Sequence, residues 1–283
     1  MDVLTQLNRA MKYIEAHLGE DIELDNVATV TTYSAYHFGR LFYYIAEMPL
    51  SEYIRKRKLS LAAMALQSSQ VKVADLAVQY GYDSADSFTR AFVKQPGVTP
   101  TAARQWGFML RIYPPLTFQI RIKGMQEMNW RIEEREAFEV YGIERIFKQE
   151  ELGKIADFWD ECLQSGRHKQ LEVDADALYA IMGYGDAAPN AMPYMICGMK
   201  RADSDTKGFT TVQVPKRTWA VFRAEGLSDH SNEHCQIPQL FNRAYSEWLP
   251  TSGYDKVDGP DMEVYSGPDA TGKCLEEVWI PVV

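Results

Sequence analysis

The chain has 283 residues, 46% hydrophobic and 24% charged, with a formal net charge of -9. That length buries a substantial core and divides more naturally into two domains than one. No run approaches the roughly 20 apolar residues that cross a bilayer, and no basic segment followed by an apolar run opens the chain, so the reading is of a cytoplasmic protein without membrane association. Cys162, Cys197, Cys235 and Cys274 are scattered, with no CxxC pair, and read as reduced thiols. Charge is unevenly divided: Met1 to Leu110 holds 11 basic and 11 acidic residues, and Arg111 to Val283 holds 19 and 28. The acidic part is a poor match for nucleic acid, whereas the neutral part clusters Arg55, Lys56, Arg57 and Lys58, with Arg40, Arg90, Lys94 and Arg104 elsewhere.

The first 110 residues read as helices. Leu4, Leu7, Met11, Ile14 and Leu18 draw one apolar stripe, closed by Gly19. Leu24, Val27 and Ala28 form a short second helix, Thr31 to Ser34 a turn, and Ser34 the N-cap of a third helix whose Phe38, Leu41, Phe42 and Ile45 share a face. This is the layout of a helix-turn-helix. A longer helix, Leu50 to about Leu66, is expected to turn Ile54, Leu61 and Ala65 inward and the basic run outward. The pattern then returns: Phe88-x-Arg90-x-Phe92 restates Phe38-x-Arg40-x-Phe42 fifty positions later. All four phenylalanines are expected in the core. Two such units joined by one helix would place their second helices about one DNA turn, ~34 Å, apart.

YIRKRKLSLAAMAL, VADLAVQYGYDSADSFTRAF and GVTPTAAR resemble the DNA-binding domain of the AraC family of bacterial transcription regulators. The resemblance covers residues 1 to about 108. It implies contact with two successive major-groove segments of double-stranded DNA. It places Tyr36, His37 and Arg40 on the first recognition helix and Ala85, Asp86, Ser87, Thr89 and Arg90 on the second. Arginine suits guanine edges or phosphates, Ser87 and Thr89 suit phosphate oxygens, and Asp86 suits a cytosine amino group. Lys56 is expected to touch the backbone without reading sequence. Gly39 departs from the family pattern, leaving base readout there to Arg40 and Tyr36, and Pro96 reads as a helix stop.

Tyr113-Pro114-Pro115-Leu116 forbids helix and favours an extended connector, placed at residues 109–125. Beyond it, MNWRIEERE and FEVYGIERI read as strands, EELGKIADFWDECLQ as a helix, and ALYAIMGYG and YMICGMK as strands. The order repeats in FTTVQVPKRTWAVFRAEG, QIPQLFNRAYSEWLP, MEVYSG and EEVWIPV, with Ala137–Tyr141 and Thr218–Phe222 aligning 81 positions apart. The expected fold is therefore multidomain: an all-α tandem helix-turn-helix domain (1–108), a linker (109–125), and an α+β domain (126–283) built from two duplicated strand-strand-helix-strand-strand halves. Two halves facing each other would leave an aromatic-lined crevice.

TVQVPKRTWAVFRAEG, FNRAYSEWLPTSGYDKVDGPDMEVYSGPD and the closing EEVWIPV resemble the gyrase-inhibitory-protein-like effector-binding domain, and the whole chain is similar to AraC-family regulators of the Rob type. The resemblance implies a small-molecule effector, RNA polymerase as a protein partner, and, in relatives that sense lipophilic cations, a buried glutamate among aromatics. Its position corresponds to Glu263. Tyr265, Trp219, Phe222, Tyr141 and Trp279 are the aromatics expected around it, each cation–π contact contributing about 0.5–2 kcal/mol. Glu277 stands second, with Glu276 on the opposite face. Some stand-alone relatives are hydrolases that use a glutamate in the same crevice, and a regulator without effector is the third reading. No cofactor is expected. His230, His234 and Cys235 lack a fourth metal ligand at an accepted spacing, and neither GxGxxG nor GxSxG occurs.

Overall fold

The computed structural model describes residues 3–105, 109–118, 127–171, 177–185, 191–226, 235–267 and 274–283. Seven helices come first: α1 (Val3–Ala16), α2 (Leu24–Thr29), α3 (Ala35–Ala46), α4 (Leu50–Ser68), α5 (Val73–Gln79), α6 (Ala85–Lys94) and α7 (Pro100–Ala103). Their starts are chemically marked. Ser34 accepts from the His37 N–H, Ser84 and Ser87 form a reciprocal capping box, and Thr99 caps α7 with Pro100 at its first position.

The chain divides into two units. The first gathers Val3–Thr32 and the stretch from Met48 to the connector; the second gathers Tyr33–Glu47, which is α3 with its caps, and everything beyond the connector. In the first unit Leu59, Ala62, Ala63, Leu66, Leu76, Ala77, Phe88 and Phe92 form one core. On α4 the buried face is thus Tyr53, Leu59, Ala62, Ala63 and Leu66; Ile54, Leu61 and Ala65, expected inward, are only half-buried. The basic run does not wrap outward as a block either. Arg57 is buried and donates from Nε and Nη2 to the two Glu15 oxygens, each at 2.8 Å, while Tyr53 donates to the same carboxylate at 2.6 Å. Burial alone would raise the Glu15 pKa, but the Arg57 and Tyr53 hydrogen bonds hold it below the ordinary carboxylate value.

The proline-bearing connector is extended, as its composition dictates, and it is strapped to the first unit. The Tyr113 N–H donates to Ser60 Oγ at 2.9 Å, the Leu116 N–H to the Tyr53 hydroxyl at 3.0 Å, and Phe118 exchanges two bonds with Asn8.

The second unit is built on β1 (Asn129–Arg135), β2 (Phe138–Lys148), α8 (Ile155–Ser165), β3 (Ala177–Met182), β4 (Ala191–Met199), β5 (Thr210–Val214), β6 (Arg217–Gly226), α9 (Ile237–Arg243), α10 (Leu249–Ser252), β7 (Asp261–Ser266) and β8 (Cys274–Val282). A π-type turn, Ala244–Trp248, joins α9 to α10. All strands pair antiparallel in one sheet, ordered β1-β6-β8-β7-β3-β4-β2-β5. Exchanging β1–β4 with β5–β8 returns this order read backwards. The halves join edge to edge through β3 and β7.

The sheet curls strongly. Phe138 on β2 and Trp219 on β6 lie five strands apart in the order, about 24 Å if the sheet were flat, yet their rings sit 6.5 Å apart. The inner face therefore closes on itself, packing Trp219, Trp279, Val221, Met262, Val264, Met195 and Cys197. Ladder register places Glu263, Tyr265, Tyr194, Phe222 and Val278 on the outer face, where α8 and α9 carry their buried residues. Close approach also explains one glycine: a Cβ on Gly142 would stand 2.1 Å from the Ile196 carbonyl oxygen and 2.7 Å from Cys197 Cα.

Candidate functional site

Two buried carboxylates occupy opposite faces of the curled sheet, because Glu263 pairs with Val278 while Glu277 pairs with Val264. On the inner face Glu277, 4% exposed, accepts from Arg131 at 2.9 Å, Arg223 at 2.9 Å and Trp279 Nε1 at 2.8 Å. Burial works to raise its pKa, but these donors outweigh it and hold the carboxyl below the ordinary value. That charge is neutralised within the protein and has a structural role.

Glu263 is equally buried, at 4% exposure, but its partners are neutral. Tyr194 donates to Oε2 at 2.6 Å and Tyr265 to the same oxygen at 2.8 Å. Trp159 on α8 donates from Nε1 to the Tyr194 hydroxyl at 2.7 Å, and its ring lies 4.7 Å from that of Tyr265. Phe147 and Phe158 meet Tyr194 edge-on. Among the described residues no basic side chain pairs with Glu263. Burial pushes its pKa up, opposed by the two tyrosine hydrogen bonds, and both tyrosines are pushed well above their ordinary value by burial and by the Glu263 charge. Cys235, just before α9, bonds Tyr265, and burial lifts its thiol to about 12. An aromatic box around a carboxylate without an ionic partner can accept a cation or hold a proton.

The expected pocket aromatics separate accordingly. Tyr265 belongs to this box. Phe222 shares the outer face but packs on Trp248. Tyr141, three strands away, donates to the Gln170 carbonyl and packs against Phe209. Trp219 and Trp279 lie on the inner face, away from Glu263, and Glu276 rather than Glu277 shares the Glu263 side, accepting from the Gln236 N–H at 2.6 Å. Trp159 and Tyr194 were missed; each looks like core filling from its own segment, and only the ladder joins them to Glu263.

In the segments expected to read DNA, α6 presents Asp86 and Arg90 exposed and Ala85, Ser87 and Thr89 half-exposed, with Phe88 and Phe92 buried beneath. Lys56 is half-buried, 2.7 Å from Glu52 and over the Tyr113 ring. Helix α3 differs from α6. Ala35 and His37 through Phe42 are all buried, and Arg40 is 3% exposed, so His37 and Arg40 offer no free face to a groove in this arrangement. The Tyr36 side chain, and His230 and His234 of the weighed metal cluster, lie outside the described residues. Among the described residues no three metal-ligating side chains cluster, and no helix is long and apolar enough to cross a membrane.

A curled α+β domain following helix-turn-helix units is the layout of an AraC-type regulator with a GyrI-like C-terminal domain. The family profiles agree: the GyrI-like small molecule binding domain matches residues 128–283, more than half of the chain, and a helix-turn-helix domain matches residues 27–105. The chain belongs to the GyrI-like family. It is 38% identical over 119 residues to the Right origin-binding protein of Escherichia coli K12, a match covering 41% of each chain. It is 37% identical over 105 residues to the probable transcription factor PqrA of Proteus vulgaris, covering 36% of this chain and 86% of that one. The match thus spans about two fifths of the Right origin-binding protein's length. Among solved structures, SAV2435 bound to tetraphenylphosphonium matches with a TM-score of 0.46 at 20% identity, covering 55% of this chain and 94% of that one.

Proposed function

We propose that this protein is a transcription regulator that reads two successive major-groove segments through α3 and α6, and that its C-terminal domain takes a small lipophilic cation at Glu263. The observation that supports the effector assignment is the contrast between two of the buried glutamates: Glu277 is matched by two arginines, whereas among the described residues Glu263 accepts hydrogen bonds from tyrosine hydroxyls inside an aromatic box and forms no ion pair. A fixed carboxylate with aromatic faces nearby is the complement of an amphiphilic cation. The working boundaries remain 1–108, 109–125 and 126–283, and the self-matching strand order supports an internal duplication of the second domain. RNA polymerase is the protein partner such a regulator would engage.

The test is calorimetric titration of the full chain with tetraphenylphosphonium and with neutral triphenylphosphine oxide, in wild type and in Glu263→Gln. Losing a buried charge partner costs about 2–5 kcal/mol, so the cation should lose at least ~30-fold in affinity while the neutral compound binds both forms alike. Equal cation affinity in the two forms would refute the assignment.

A further inference from the structure

The two helix-turn-helix repeats share one sequence pattern, yet their second helices differ in exposure at the matching arginine. On α6 the arginine at the repeat position, Arg90, is exposed; on α3 its counterpart Arg40 is 3% exposed. What covers Arg40 is the C-terminal part of the chain. Its Nη2 lies 2.7 Å from an oxygen of Asp261, which is fully buried at the start of β7, and the guanidinium sits over the rings of Tyr44 and Phe241. Lys256 reaches the other Asp261 oxygen at 2.9 Å, and the Tyr245 hydroxyl donates to that carboxylate as well. His37 stands with Nε2 3.0 Å from the Gly259 carbonyl and Nδ1 2.7 Å from Asp258. Asn242 of α9 donates to the Tyr44 carbonyl at 2.7 Å, and the Tyr44 ring stacks on Phe241 at 4.5 Å.

We infer that this is an autoinhibitory clamp: the GyrI-like domain holds the first recognition helix by Arg40, His37 and Tyr44, and occupation of the Glu263 box releases it. An arginine committed to a buried aspartate cannot reach a guanine edge, so DNA engagement by α3 requires the clamp to open. The clamp and the box share their framework. Asp261 and Glu263 sit two residues apart on the same face of β7, and the segment that closes over Tyr265 through Cys235 leads directly into α9, which carries Phe241 and Asn242. Glu263 is only 4% exposed, so a ligand that meets its carboxylate displaces side chains packed around it, Tyr265 with its Cys235 contact among them. Moving α9 pulls on the contacts that hold Tyr44 and Asp261. Effector binding and the docked α3 therefore oppose each other, and by linkage each weakens the other equally. The ligand half of this inference rests on the reading of Glu263 given above; the clamp itself does not.

The experiment uses the full chain with hydrogen–deuterium exchange across Tyr33–Glu47, together with affinity for a duplex enriched from a random pool. Asn242→Ala and Asp258→Ala each remove a clamp contact without emptying the core; Asp261→Asn is the stronger but riskier variant. The first two are expected to speed exchange across α3 and tighten DNA binding at least about fivefold, with melting temperature little changed. Tetraphenylphosphonium should do the same to wild type and not to Glu263→Gln. Variants that fold normally but leave α3 exchange and DNA affinity unchanged, or weaken DNA binding, overturn the clamp. Release by the variants but not by the cation supports the clamp and refutes the effector assignment.

Discussion

Removing one oxygen atom tests how the Glu263 box is built. In Tyr194→Phe the lost hydroxyl is the middle of a relay: it accepts from Trp159 Nε1 at 2.7 Å and donates to Glu263 at 2.6 Å, and Tyr194 is fully buried. The bond to the carboxyl contributes roughly 1–3 kcal/mol according to its charge, and the orphaned indole N–H costs about 1–3 kcal/mol more. A total of roughly 2–6 kcal/mol follows, which lowers the melting temperature of a unit this size by about 4–24 °C. In a Trp159→Phe background there is no N–H to orphan, so the same substitution should cost only about 1–3 kcal/mol, giving a coupling of about 1–3 kcal/mol. Urea and thermal unfolding followed by tryptophan fluorescence and far-UV circular dichroism measure all four corners of the cycle. A cost below about 0.5 kcal/mol, or strict additivity, would refute the relay.

Arg90→Ala should weaken DNA binding by about 1–3 kcal/mol with selectivity relaxed at one position, read by gel shift on variant duplexes; unchanged affinity would remove Arg90 from the interface. Glu263 is held above its ordinary pKa of 4.5 by burial, so the folded state keeps a proton that the unfolded chain has lost. Its contribution is therefore fully present below about 4.5 and is lost as pH rises through the raised folded value, so wild type should lose stability relative to Glu263→Gln over that window. Denaturant midpoints of both forms at stepped pH check this, and a constant difference would contradict it. Gly142→Ala forces a Cβ against the β4 backbone and should cost at least ~1–3 kcal/mol, measured by urea unfolding; a neutral result would mean the strands can separate at no cost.

Much of the architecture was legible because it is written in local periodicity. Phe38 and Phe88 announced the repeat, the two prolines the connector, and the strand-strand-helix-strand-strand order emerged from alternation alone. Within one strand, faces were legible too: Glu263 and Tyr265 had to share a side, as did Glu277 and Trp279. What alternation omits is which side of one strand continues onto the next. That is fixed by register, Glu263 opposite Val278, and it sends Trp279 inward and brings Tyr194 alongside. The burial of α3 was hidden for a different reason. Its partners Phe241, Asn242 and Asp261 lie about two hundred residues downstream, and an amphipathic helix with a polar outer face reads the same whether that face meets water or a buried aspartate.

The place of the last strand bears on how the chain comes to be folded. β8 is the final segment in sequence, yet it lies inside the sheet between β6 and β7, and β1 waits for β6. During synthesis the helices of the first unit can consolidate early through neighbouring contacts, while the sheet stays open until its closing strand emerges. The nascent protein thus passes through a stage in which α6 and its neighbours in the first unit are packed before the surface that holds α3 is complete. A chain that lost β8 would leave β6 and β7 without their shared neighbour, two raw edges inviting association with other chains.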